Sequence, residues 1–187
     1  MFQGKRCVPT AYTAQWIGVA NTPRSEAKTC IWNLSNGSWG SPKNWVRNVP
    51  VEATEAITPL VIWRKELRQD SGGAGKYRGG LGQVMEVASR ENAPFGIFAR
   101  FERVTYPARG RHGGGPGGAG RLSLASGTIL KAKGLAVVPP GDRLIVEMPG
   151  GGGMGAPAER DPATVRRDVR LGYLSREAAE REYGVEL

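Results

Sequence analysis

The chain has 187 residues and a formal net charge of +9, from 26 Lys+Arg against 17 Asp+Glu, with 40% hydrophobic residues. That length accommodates one domain with a real core, and that apolar content excludes wholesale disorder. The 28 glycines and 13 prolines assign a large share of the backbone to turns and irregular structure.

Neither cysteine, Cys7 or Cys30, belongs to a CxxC pair, so neither a zinc site nor a disulfide framework is legible. No apolar run approaches the roughly eighteen residues of a membrane span, and residues 1–16 lack a signal-peptide core; a soluble, cytoplasmic protein is the expectation. The positive charge permits contact with nucleic acid, an anionic ligand or an acidic subunit. The arginines are spread along the chain without interleaved aromatics, so nucleic acid is not the expected partner.

Residues 1–48 hold Trp16, Trp32, Trp39 and Trp45, both cysteines and a single acidic residue, Glu26. A short strand is predicted at 12–20 and turn chemistry throughout 33–44, which makes 1–48 an irregular, Trp-rich extension. A second unit, 49–187, is regular. Residues 57–67 (ITPLVIWRKEL) predict a strand with Pro59 at its entrance. Residues 83–89 alternate Val84, Glu86 and Ala88 against Gln83, Met85 and Val87, and 94–102 place Ile97, Ala99 and Phe101 on one face; the short link between them predicts a hairpin.

Further strands are predicted at 122–124, 129–133, 135–138 and 143–148. Asp161 as N-cap, Pro162 at the first helical position and an apolar stripe of Val165, Val169 and Leu171 predict a helix ending at Gly172. A second helix starts at Ser175 and ends near Gly184. The fold class expected is α+β, mainly β and rich in glycine loops, with a C-terminal helical hairpin.

Three glycine-rich stretches, 67–82, 106–121 and 149–157, separate these elements. A P-loop needs GxxxxGK followed by Ser or Thr; here Gly75-Lys76 is followed by Tyr77, and Asp70 stands where the first glycine belongs. GPGGAG at 115–120 and GGGGMG at 150–155 match GxGxxG in letters, but neither sits between a strand and a helix, so the pyrophosphate would find no helix N-terminus. Asp70, Lys76 and Arg78 in the first stretch, with Arg109 and His112 in the second, are the candidate substrate or partner contacts. His112 is the only histidine, and a solvated loop residue is the simpler account of it because no neighbouring carboxylate orients the ring. The flanking arginines suit a carboxylate or phosphate as well as a solvated or subunit-facing edge.

The ordered blocks PVEATEAITPL, LRQDSGGAGKYRGGLG and PPGDRLIVEMPGGGGMGAPAERDPATVRRDVRLGYLSREAAEREYGVEL resemble the C-terminal part of the hydantoinase B/5-oxoprolinase family, related also to acetone carboxylase alpha-type subunits. The resemblance covers 49–187. It implies a multi-subunit hydrolase that opens a small cyclic amide such as 5-oxoproline or a hydantoin, with ATP and a divalent metal used by the intact complex and none bound by this chain. A hydantoinase A-like subunit and the N-terminal part of a B subunit are the implied partners, and the chain is expected to be a C-terminal portion without turnover of its own. No catalytic residue carries over onto this stretch. The competing expectation is a non-catalytic basic module that binds an acidic protein or nucleic acid.

Overall fold

The computed structural model describes Ile31–Asn33, Ser38–Gly40 and residues 51–186. The strand expected at 12–20 lies outside them. β1 (Ile31–Asn33) and β2 (Ser38–Gly40) pair antiparallel with Trp32 opposite Trp39. Ser38–Gly40 is therefore a strand where the run of Asn, Ser and Gly predicts only turn, the two strands flanking an Asn36-Gly37 pair that is a strong hairpin signal.

Residues 51–57 form a short helix, α1 (Val51–Ile57), where the β-rich pattern was expected to begin at Ile57. Glu52, Ala53, Glu55 and Ala56 are good helix formers, and Pro59 disfavours helical backbone at Thr58, which ends the helix. The Glu55 carboxylate accepts the amide of Ile62 at 2.7 Å, so the helix is tied to the strand that follows.

The remaining strands are β3 (Leu60–Leu67), β4 (Gln83–Ser89), β5 (Phe95–Arg100), β6 (Arg121–Leu124), β7 (Lys133–Val138) and β8 (Leu144–Glu147). Four of them form an antiparallel sheet in the order β3-β4-β8-β6, and β5 pairs with β7 in a separate two-stranded ribbon. The predicted β4–β5 hairpin is not formed. Both edges of β4 are already taken, by β3 and by β8 across Val84–Val87, so β5 finds its partner 33 or more residues later. The strand expected at 129–133 is likewise not formed: Ile129, which is exposed, makes an isolated bridge to Ser123, and Lys133 already belongs to β7.

Strand alternation locates the core. Met85 and Val87 of β4, Leu122 and Leu124 of β6, and Leu144 and Val146 of β8 are buried together with Ala99 and Val138 from the ribbon. The ribbon thus covers one face of the sheet. β3 carries a bulge between Ile62 and Arg64 that leaves Trp63 exposed. The Arg143 guanidinium lies 5.9 Å from the Trp63 ring centroid and pairs with Glu86 at 2.7 Å.

After a single 3-10 turn at Pro157–Glu159 come α2 (Pro162–Arg170) and α3 (Arg176–Tyr183). Asp161 caps α2 by accepting the amides of Ala163 at 3.2 Å and Thr164 at 3.1 Å, and Ser175 caps α3 by accepting the amide of Ala178 at 3.1 Å. Gly184, at φ 64, closes α3. Val165, Leu174, Ala178, Ala179 and Val185 form a second small core. Leu171 does not join it. It is the C-cap of α2, past the last helical turn, and points off the Val165 and Val169 stripe into solvent.

Candidate functional site

The three glycine-rich stretches emerge from one end of the sheet. Leu67 at the end of β3 faces Gln83 at the start of β4, and Glu147 at the end of β8 faces both Val84 and Arg121. Beyond that end the chain segments 71–82, 108–120 and 149–155 pack side by side.

Their hydrogen bonds run between segments and recur every third residue. The Gly150 and Gly153 amides donate to the carbonyls of Gly118 and Gly115, and the amides of Gly118 and Gly115 donate in turn to the carbonyls of Ser71 and Ala74, at 2.7 to 3.0 Å. The Gly73 amide returns to the third segment at the Gly151 carbonyl, 2.9 Å. A period of three is that of a polyproline II helix, not the two of a strand or the 3.6 of an α-helix. Each segment therefore presents hydrogen-bonding groups to neighbours on different sides, and the three form a layered glycine bundle.

Close approach is what requires glycine there. A Cβ on Gly150 would overlap the Ser71 carbonyl oxygen, and one on Gly153 would overlap that of Ala74. Arg68 ties the bundle to the sheet: its Nη1 donates to the carbonyls of Ala119 at 2.6 Å and Met148 at 3.3 Å, and its Nε lies 3.5 Å from the Glu147 carboxylate.

Asp70, Lys76 and Arg78 all contact the C-terminal segment. Asp70 sits at φ 58, accepts the Ser175 amide on its carboxylate at 2.8 Å, and donates its own amide to the Tyr173 carbonyl at 3.2 Å. Lys76 Nζ is 3.0 Å from the Glu159 carboxylate, a hydrogen-bonded ion pair that raises the lysine pKa. Arg78 Nε donates to Asp168 at 3.1 Å, and Arg160 Nη2 donates to the same carboxylate oxygen at 2.6 Å.

Asp168 is 2% exposed, and two guanidiniums share it. The surplus positive charge is balanced by aromatic faces, Arg78 lying 5.7 Å from the Tyr173 ring centroid and Arg160 5.8 Å from that of Tyr183. Burial pushes the Tyr183 phenol pKa up. Sequence reasoning missed Arg160, Asp168, Tyr173 and Tyr183 because Arg78, which joins Asp168 and Tyr173 to the bundle, lies ninety positions before Asp168 in the chain; the local signal was the Arg160 and Asp168 pair, eight positions apart around the start of α2.

Arg109 and His112 lie on the exposed side of the second segment, where His112 adopts φ 50 in a turn. The neighbouring Arg111 pairs through its backbone with the third segment, its amide donating to the Gly153 carbonyl at 2.9 Å and its carbonyl accepting the Gly155 amide at 3.0 Å. Gly155 donates from beside Lys76, whose amide donates back to the Gly155 carbonyl at 3.3 Å. The geometry thus sets Lys76 and Arg111 on either side of Gly155 and leaves Asp70 and Arg78 facing the helices.

The paired amides of the bundle do not form a phosphate cradle. A phosphate cradle needs backbone N–H groups free to converge on an anion. The amides of Gly73, Gly115, Gly118, Gly150, Gly151, Gly153 and Gly155 are each donated to a carbonyl, and Lys76 is paired with Glu159. Among the described residues no group of three or more His, Cys, Asp and Glu is placed to hold a metal ion.

Residues 35–157 match the family model described as hydantoinase B/oxoprolinase. The beta subunit of a caprolactamase from Pseudomonas jessenii is 36% identical over 149 residues, spanning 72% of this chain and 24% of that one. A 5-oxoprolinase from Saccharomyces cerevisiae is 34% identical over 109 residues, spanning 56% of this chain and 8% of that one. The crystal structure of the ATP-dependent caprolactamase from Pseudomonas jessenii superposes with a TM-score of 0.67 at 26% identity, covering 91% of this chain and 30% of that chain. The chain spans about a quarter of the length of the curated archaeal and bacterial relatives it matches. With the matched segment running from the β1–β2 region through the whole sheet to the third glycine segment, the chain belongs to the hydantoinase B/oxoprolinase family.

Proposed function

We propose that this chain is the glycine-bundle domain, C-terminal in position, of an enzyme that hydrolyses a small cyclic amide at the expense of ATP in the cytoplasm. The observation that carries this reading is the family match over residues 35–157, supported by the fold likeness to an ATP-dependent caprolactamase. ATP and a divalent metal are handled by a hydantoinase A-like partner and by the remainder of a B-type subunit, because the glycine amides that would cradle phosphate are already spent within the bundle. The chain's own share is a scaffold at the rim of the active site, with Arg109 and His112 on its exposed side. Turnover requires the assembled subunits.

The test is an assay of ATP-dependent ring opening on 5-oxoproline, a hydantoin and caprolactam, with magnesium or manganese. The chain is tested alone and then together with a hydantoinase A-type subunit and the remainder of a B-type subunit. Activity is expected only in the complete mixture. Turnover by the chain alone, or none from the complete mixture on any of the three rings, contradicts the proposal.

A further inference from the structure

The β5–β7 ribbon has two unlike faces. Its inner face, with Ala99 and Val138 buried and Phe95 and Ile97 packed against the core, closes the sheet. Its outer face places Phe98 opposite Leu135 and Gly96 opposite Val137. Phe98 is 64% exposed, Leu135 74% and Val137 58%. Directly opposed residues share a face, so these three form one apolar strip with Leu135 lying over the bare backbone of Gly96. The strip is rimmed at one end by Arg100, whose guanidinium lies 5.1 Å from the Phe98 ring centroid, and by the Lys133–Glu102 pair at 2.7 Å.

Alternation on both strands produces this strip; an isolated soluble ribbon would carry polar residues at those positions. A contiguous exposed apolar patch with a polar rim is the signature of an interaction surface. What covers it follows from lengths. Both strands of the ribbon lie within the segment 35–157 that matches the family model, while the chain spans only about a quarter of its relatives' length. In those longer chains the same module is joined to several times its own mass of protein.

We propose that the outer face of the β5–β7 ribbon, Phe98, Leu135 and Val137, docks the portion of a B-type subunit that this chain does not span. The proposal rests on the functional reading above. Phe98 and Leu135 are the anchors, as the two largest apolar side chains on the strip. Arg100 at the rim selects an acidic group on the docked portion.

The probe is the caprolactamase beta subunit of Pseudomonas jessenii with the segment that matches this chain removed, shown to be folded by circular dichroism and then titrated into the 187-residue chain. Phe98→Asp and Leu135→Asp are compared with Leu171→Asp, an exposed leucine at the end of α2, outside the ribbon, and circular dichroism checks that all three remain folded. A complex is expected whose affinity falls tenfold or more in Phe98→Asp and Leu135→Asp and is unchanged in Leu171→Asp. Absence of any complex, or equal binding by all three variants, overturns the proposal. So does a strip that proves to be covered instead by a second copy, read as dimerisation by sedimentation, or by the chain's own tryptophan-rich residues, read as a shift in tryptophan emission on mutating the strip. If ring opening is reconstituted and survives both ribbon substitutions, the docking face is wrong and the functional reading stands. If the wild-type mixture opens no ring, the functional reading falls whichever way the binding comes out.

Discussion

Arg78 Nε reaches the Asp168 carboxylate at 3.1 Å across ninety positions of sequence, joining the first glycine segment to the second turn of α2. The pair is 14% and 3% exposed at its side chains, and Arg160 donates to the same carboxylate oxygen. Removing the shared carboxylate leaves two buried guanidiniums facing each other. Asp168→Asn is therefore expected to lower unfolding stability by about 3–5 kcal/mol, because an uncompensated buried charge costs more than the pair contributes. Chemical denaturation measures it; a loss below about 1 kcal/mol would show that the charges are solvated rather than paired.

The glycine bundle predicts a sharp contrast between two substitutions of the same type. Gly153→Ala drives a methyl into the Ala74 carbonyl and is expected to cost about 3 kcal/mol, at the upper end for overpacking, since the Gly73–Ala74 backbone has to move. Gly127→Ala meets open space at φ 95 and pays only the left-handed penalty of about 1–2 kcal/mol. Thermal melts of the two variants give the order directly.

The N-cap of α2 predicts a pH dependence. The hydrogen bond from the Thr164 hydroxyl, then that from the Ala163 amide, hold the Asp161 pKa below its ordinary value of 3.8. A carboxylate whose folded pKa is depressed contributes stability that is fully present above the unfolded value and is lost as pH falls through the folded one. Wild type is thus expected to keep a more helical α2 than Asp161→Ala at neutral pH, and the difference is expected to shrink as the pH falls below the ordinary carboxylate value and through the depressed folded one. Chemical shifts of residues in Pro162–Arg170 followed across a pH titration report it.

Two separate cores predict two opening units. Val165, Leu174, Ala178, Ala179 and Val185 pack among themselves, and the ties from this lobe to the glycine bundle are polar: Asp70 to Ser175, Lys76 to Glu159, Arg78 to Asp168. Amides of α2 and α3 are expected to exchange with solvent as one block, faster than those of β4 and β8, and to speed up as salt screens the ties. A single exchange rate for the whole domain would contradict this.

Much of the sheet was legible because alternation is a local property. Gln83–Ser89 read as a strand with Met85 and Val87 on one face, and those two residues line the core. The caps of both helices were legible for the same reason: Asp161, Pro162, Ser175 and Gly184 act within a few residues of themselves. Strand order was not, because β8 inserts between β4 and β6 only through contacts that no window of sequence contains. The short helix α1 was hidden by the β-branched run that follows Pro59.

At the candidate site the polar residues of the first segment stood out, but their partners did not. Asp70 was visible; that its carboxylate would hold the start of α3 was not, since Ser175 is 105 positions away. The spacing of the glycines excludes the nucleotide motifs but does not show what they pack against. Their three-residue rhythm, at 115 and 118 and again at 150 and 153, is a property of the hydrogen bonds between segments and is invisible in runs where nearly every residue is glycine.

The most direct test of that packing is a titration of the isotopically labelled chain with magnesium ATP, followed amide by amide in nuclear magnetic resonance spectra. Amides engaged in carbonyl hydrogen bonds have nothing to offer a phosphate. The amides of Gly73, Gly115, Gly118, Gly150 and Gly153 are expected to keep their positions to millimolar nucleotide and to remain protected from exchange. Saturable shifts confined to those glycines would contradict that packing and make the bundle a nucleotide site.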